Sequence, residues 1–229
     1  MQQKLEILQE KISYHFKNQD LLISAFTHSS YTNEKRLKKY QCNERLEFLG
    51  DAVLQLISSE FLFFADSKMP EGKLSKLRAS IVCEQSLAFC ARELDLGSYL
   101  LLGRGEEVNG GRNKESVISD ALEALIGAIY LDGGFTNAKE FVHKFVLNDL
   151  ENKKLFYDSK TILQEIIQAE INEPIHYELI KEEGPDHNKI FIVKVFVGKD
   201  CYGDGRGRTK KNAEQQAAYE AILKLRKKD

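Results

Sequence analysis

A chain of 229 residues, 42% hydrophobic and 30% charged, has the composition of an ordinary globular protein and room for one large domain or two modest ones. A formal net charge of −2 excludes a uniformly basic nucleic-acid coat, although local charge rather than the total sets phosphate affinity. No uninterrupted apolar run of about 18 residues predicts a membrane span, and the N-terminus carries acidic residues where a signal peptide would have an apolar core. The expectation is a cytoplasmic protein that does not engage a membrane.

Cys42, Cys83, Cys90 and Cys201 show no metal-binding spacing and read as reduced thiols, and the five histidines form no cluster.

In chain order, Leu5, Leu8 and Ile12 recur at helical spacing, as do Leu21, Leu22, Ala25 and Phe26. Asn43 is placed to cap a helix running to about Phe64, and Pro70 closes the loop before a helix over 74–93. Gly97, Gly103, Gly105, Gly110 and Gly111 mark an irregular connection. An apolar helix spans 116–131, is ended by Asp132-Gly133-Gly134, and is followed by an amphipathic helix over 136–150. After the polar seam Glu151-Asn152-Lys153-Lys154 the pattern changes to a helix over 160–171, then strands at 176–180, 190–197 and 199–205. A helix from Arg208 to Leu225 closes the chain. The expected division is an all-α domain over 1–150, a linker over 151–159, and a small α-β-β-β-α unit of the α+β class over 160–229.

Two of these helices carry acids in otherwise apolar sequence. At about 100° per residue, Glu44, Glu47 and Asp51 fall within one arc of the helix that follows Asn43. Asp120 and Glu123, three apart, share a face of the 116–131 helix. Carboxylates on a partly desolvated face repel one another unless a cation neutralises them, and a hard divalent ion with oxygen ligands is the natural counter-ion. Most carboxylates at helical spacing form only a solvated face, but the apolar flanks here argue for convergence of the two helices on a metal site.

The block Asn43-Glu44-Arg45-Leu46-Glu47-Phe48-Leu49-Gly50-Asp51-Ala52-Val53 resembles the signature of bacterial ribonuclease III, the endonuclease of double-stranded RNA. Thr27-His28-Ser29-Ser30-Tyr31, Pro70-Glu71-Gly72-Lys73-Leu74-Ser75 and the run from Asp120 to Ala128 resemble its other boxes, in order. The resemblance implies a helical nuclease domain using Mg²⁺, with Mn²⁺ a substitute, and products with 5′-phosphate and 3′-hydroxyl ends. It implies a metal held by Glu47, Asp51, Asp120 and Glu123, with Asp51 and Glu123 catalytic. Glu44 is a possible accessory, and Glu71 is equally a structural residue. Lys114 and Ser116 are candidates for substrate contact, while His28 reads as structural.

The C-terminal order resembles a double-stranded-RNA-binding domain. By that resemblance Thr161, Gln164, Glu165 and Gln168 read one minor groove. His187, in Gly184-Pro185-Asp186-His187, enters the next, and Arg208, Thr209, Lys210 and Lys211 grip phosphate at a helix start. Glu214 departs from the family's basic pattern there and argues for a modest grip. A single carboxylate set facing two strands implies a homodimer, with Phe48, Leu54 and Phe61 as candidate anchors, core packing being the default for each. Ribosomal-RNA precursors and other structured RNAs, messengers included, are the implied substrates. The competing reading, a non-catalytic RNA-binding dimer, predicts a gap among the four acids, and all four are present.

Overall fold

The computed structural model describes residues 2–148, 159–184, 189–207 and 209–226. Two compact units divide at Asn148/Asp149.

The first unit is helical. Its elements are α1 (Gln2–Ile12), α2 (Gln19–Ala25), α3 (Ser29–Glu34), α4 (Glu44–Ala65), α5 (Glu71–Ile81), α6 (Glu84–Glu93), α7 (Arg104–Val108) and α8 (Glu115–Phe145), with short 3₁₀ turns between some of them. The core is the α4–α8 pair with α2 and α6 packed against α8. Leu54, Ile57, Leu122, Leu125 and Ile126 are fully buried there, which is why the α8 segment is apolar almost all round. Within α8, Gly134 has φ +80 and ψ 179, a backbone that glycine tolerates, and the helix kinks where Asp132-Gly133-Gly134 predicts a break.

Two local expectations are corrected. Asn43 precedes α4 but makes no side-chain cap bond, and its Nδ2 is buried without a partner. The helix expected over 74–93 is two helices, broken at Val82–Cys83, where Cys83 is extended and Ser86 Oγ donates to the Ser80 carbonyl at 2.6 Å. That buried hydroxyl satisfies a carbonyl freed by the break, an alternative to the helical ladder that the apolar pattern does not reveal. By length and apolar composition alone α4 could pass for a membrane-crossing helix, a test that the core helix of a helical domain also passes. It carries Glu44, Glu47, Asp51 and Glu60 and packs lengthwise on α8.

A latch holds the N-terminus on the kink. Asp132 accepts from Tyr14 Oη at 2.7 Å and from the backbone N–H of Lys17 and Asn18 at 2.9 and 2.8 Å. Burial acts to raise its pKa, but these three donors outweigh it and hold the carboxyl below its ordinary value. Because the folded pKa is lowered, the stabilisation is present above the unfolded value and is lost as pH falls through the folded one. Asp132→Ala is expected to cost about 1–3 kcal/mol near neutrality and much less at pH about 3, read by urea unfolding at both pH values.

The second unit has α9 (Ser159–Glu170), an antiparallel sheet of β1 (Ile175–Glu183), β2 (Ile190–Val197) and β3 (Asp200–Gly207) in the order β1-β2-β3, and α10 (Lys210–Arg226). Val193, Val195 and Val197, at period two, face Leu163, Ile167 and the Ala213/Ala217/Ala221 stripe of α10. Gly203 and Gly205 bring β3 against that stripe: a Cβ at either would stand 2.3 and 2.2 Å from the carbonyls of Ala217 and Ala213.

Candidate active site and nucleic-acid surface

The acids converge because two glycines let the helices touch. A Cβ on Gly50 of α4 would lie 1.8 Å from the Glu123 carbonyl, and one on Gly127 of α8 would lie 2.3 Å from the Leu46 carbonyl. Backbone meets backbone at this crossing, closer than the spacing of helices separated by side chains. Glu47 and Asp51 flank Gly50, and Asp120 and Glu123 lie seven and four residues before Gly127, so all four acids project beside the crossing.

Glu47, Asp120 and Glu123 each present a carboxylate oxygen, and these oxygens lie within 4.8 Å of one another. All three side chains are half-buried. Burial first, and then the charges of Asp120, Glu44 and Asp51, push Glu47 up to about 7. Burial, then Asp51, Asp120 and Glu47, push Glu123 up to about 8. Every charged neighbour that shifts these two groups is another carboxylate. Asp120 is raised by burial and by Glu84, partly offset by His28 and a hydrogen bond from Ser119. Among the described residues no cation acts on Glu47 or Glu123, and His28 only partly offsets the shift of Asp120; the oxygen-only donor set and its spacing fit a hard divalent cation.

Of the acids picked from sequence, Asp51 acts on Glu47 and Glu123 but falls outside the tight group of three; Gln55 Nε2 donates to its Oδ1 at 3.3 Å. Glu44 is exposed and contributes charge to Glu47. Glu71 is exposed and accepts from Ser75 within its own helix at 2.8 Å, and it is not among the charges acting on the cluster. Lys114 is tied to Glu106 at 2.5 Å, and Ser116 supplies a carbonyl to the Ser119 hydroxyl at 2.9 Å. Glu84, in the first turn of α6, is a cluster neighbour that sequence reasoning missed. Its signal, one acid at a helix start, is too common to single out.

In the second unit Thr161, Gln164, Glu165 and Gln168 all lie on the exposed side of α9, opposite Leu163 and Ile167. Lys210 and Lys211 are exposed at the start of α10. Thr209 Oγ1 is the cap, accepting from the Asn212 N–H at 3.1 Å. His187 and Arg208 lie outside the described residues, as do residues 151–158 of the expected linker, while Ser159 opens α9. Glu214 pairs with Lys160 at 2.5 Å, joining α10 to α9, and so has a structural use.

Glu182 faces the basic end of the second unit. Its carboxylate reaches Lys189 at 3.3 Å and Lys210 at 3.8 Å, where it would compete with any phosphate that Lys210 met. Glu182→Gln is expected to tighten duplex binding about two- to five-fold at low salt, with the gain shrinking as salt is raised, measured by fluorescence anisotropy.

Comparison with known proteins agrees with this geometry. The profile of the family described as Ribonuclease-III-like matches residues 18–150, and that of the double-stranded RNA binding motif matches residues 159–225. The chain belongs to the ribonuclease III family. It is 47% identical over 224 residues to Ribonuclease 3 of Caldanaerobacter subterraneus, covering 96% of this chain and 98% of that one. It is 48% identical over 223 residues to Ribonuclease 3 of Bacillus cereus, covering 96% and 91%. The nuclease domain of ribonuclease III from Campylobacter jejuni superposes with a TM-score of 0.57 at 50% identity, over 61% of this chain and 93% of that one. That solved domain is described as flexible in a region involved in dimer formation.

Proposed function

We propose that the chain is a Mg²⁺-dependent endoribonuclease of double-stranded RNA, hydrolysing the phosphodiester to leave 5′-phosphate and 3′-hydroxyl ends. The observation that carries this reading is the desolvated carboxylate cluster at the Gly50/Gly127 crossing, in a chain that also holds a double-stranded-RNA-binding motif. Glu47, Asp120 and Glu123 would hold the cation, with Asp51 beside them; Mn²⁺ suits the same oxygen donors. Bound there, the ion supplies charge stabilisation at the scissile phosphate and lowers the pKa of the attacking water. Asp51 orients that water and takes its proton at Oδ2, Gln55 holding Oδ1 so that the carboxylate keeps one rotamer. Glu44 and Glu84 tune the cluster from its edge.

A-form RNA hides its base edges in a narrow major groove and offers hydroxyls and phosphates across a wide minor groove. The exposed polar face of α9 and the lysines of α10 suit that surface, so selection is by shape rather than sequence. His187 and Arg208 belong to the same set by sequence. Ribosomal-RNA precursors and structured messengers in the cytoplasm are the substrates this reading implies.

The working unit is a two-fold dimer of the first domain. Phe48, Ala52, Leu56 and Phe63 form one stripe of α4; Phe48 is 80% and Phe63 65% exposed, whereas Leu54 is fully buried and is no anchor. Charge in the stripe, as in Phe48→Asp with Leu56→Asp, is expected to convert the dimer to a monomer by light scattering. An unchanged dimer would place the interface elsewhere.

The direct test is an end-labelled RNA duplex incubated with the full chain, with and without Mg²⁺. Internal cuts that need Mg²⁺, ligatable 3′-hydroxyl ends and an uncut single strand are expected. An intact duplex would overturn the reading.

A further inference from the structure

The start of α9 is tied to α10 by polar contacts from one residue. The Lys160 N–H, in the first turn of α9 where no intrahelical acceptor exists, donates to Gln215 Oε1 at 3.1 Å. The Lys160 ammonium donates to Glu214 Oε2 at 2.5 Å. The same ammonium lies over the ring of Tyr177 on β1, 4.6 Å from its centroid. Tyr177 Oη is buried with no hydrogen-bond partner among the described residues. Burial, and then the charge of Glu214, push its pKa up to about 12, so the ring stays neutral beneath the cation. One lysine thus joins α9, β1 and α10.

The tie lies between the two polar surfaces of this unit. Lys160 directly precedes Thr161, the first residue of the exposed face of α9. Glu214 follows Lys210 by four residues and Lys211 by three, so it shares their side of α10 about one turn, roughly 5 Å, further along. The core beneath resists sliding only weakly. There α10 contributes Ala213, Ala217, Ala218 and Ala221, whose methyl groups are short knobs, to the cluster that holds Leu163 and Ile167 of α9. An acid so close to two lysines subtracts from their pull on a phosphate, and its contact with α9 gives it another use.

We propose that the Lys160–Glu214 pair is a spacing brace: it fixes the separation between the α9 polar face and the α10 lysines, and so sets the preference of the second unit for an RNA duplex over a DNA duplex. Both are positioning residues, acting through the groups whose separation they hold. The proposal rests on the proposed function for its ligand and deepens that reading by naming side chains that set selection by shape. The A-form minor groove is wide and shallow and the B-form one is about half as wide as the B-form major groove, so contact strips held at one spacing match one form. The sign of the effect separates this role from plain charge. Neutralising an acid beside two lysines tightens binding of any duplex, whereas loosening a brace weakens binding of the matching duplex.

The test uses the full chain in chelator, with fluorescence anisotropy of a mixed-sequence RNA duplex and of the DNA duplex of the same sequence. Glu214→Gln keeps the size of the side chain and removes its charge. It is expected to raise Kd for the RNA duplex about three- to five-fold, the range that one half-exposed ion pair supplies, and to leave Kd for the DNA duplex unchanged or lower. The swapped pair, Lys160→Glu with Glu214→Lys, keeps the net charge and rebuilds the contact, and it should recover most of the preference for RNA. Lys160→Glu alone should not. Melting temperatures should show every variant folded at the binding temperature; if Glu214→Gln melts below it, the swapped pair alone decides. Tighter binding of both duplexes by Glu214→Gln, or an RNA preference that no variant moves, would overturn the brace and leave Glu214 a repulsive charge. A swapped pair no better than Lys160→Glu would overturn it too. A wild type that binds both duplexes equally would instead overturn selection by shape in the proposed function, before any variant is read.

Discussion

Glu123→Gln is expected to lower Mg²⁺-supported cleavage of an RNA duplex by several orders of magnitude while leaving the protein at least as stable. The two effects share one cause. Glu123 sits half-buried among Glu47, Asp51 and Asp120, so its charge is useful to a cation and costly without one. The raised pKa values of about 7 for Glu47 and about 8 for Glu123 set the sign. A group whose folded pKa is raised contributes stability below its unfolded value and loses it as pH rises through the folded one. The metal-free wild type should therefore melt lower at pH 9 than at pH 5.5 through this cluster, and Glu123→Gln should reduce that difference. Asp51→Asn should match the activity loss with a smaller effect on melting, because Asp51 lies outside the group of three. Wild-type cleavage by either variant would remove that residue from the site.

Gly127→Ala should be among the most damaging small substitutions in the chain. Its Cβ would be 2.3 Å from the Leu46 carbonyl, backbone that cannot rotate aside, so the helices must separate. A cost of about 3 kcal/mol, the upper part of the overpacking range, is expected from urea unfolding. Cleavage should be lost even where the variant remains folded, because separation moves Glu47 and Asp51 away from Asp120 and Glu123. Gly50→Ala, at 1.8 Å from the Glu123 carbonyl, should behave alike. Gly72→Ala on α5 is the control: nothing stands within 4 Å of its Cβ, and alanine should be neutral or stabilise by about 0.5–1 kcal/mol. Equal stability of Gly127→Ala and wild type would contradict the close-crossing account.

The acids were legible in the sequence because helical period fixes which side chains share a face, and apolar flanks mark a helix that must be buried. Acids on two apolar helices already argued that α4 and α8 converge, and the resemblance of whole boxes added the roles expected of each acid. What could not be read was set by tertiary contact. Gly50 and Gly127 are ordinary glycines until the crossing is known. Leu54 and Phe48 are equally apolar, and only the packing direction of α4 buries the first and exposes the second. The break between α5 and α6 depends on a buried Ser86 hydroxyl meeting the Ser80 carbonyl, a contact across six residues. Glu214 reads as a misplaced charge until Lys160 is seen beside it.

The most direct test of the account is a calorimetric titration of the full chain with Mg²⁺ and Mn²⁺ at pH 6, 7 and 8, in buffers of different ionisation heat and without RNA. Carboxylates that must shed protons to bind a cation predict affinity rising with pH, with proton release largest at pH 6 and smallest at pH 8. Glu123→Gln should weaken binding and reduce the proton release. Binding independent of pH, or equal in the Glu123→Gln variant, would contradict the claim that this cluster is the cation site.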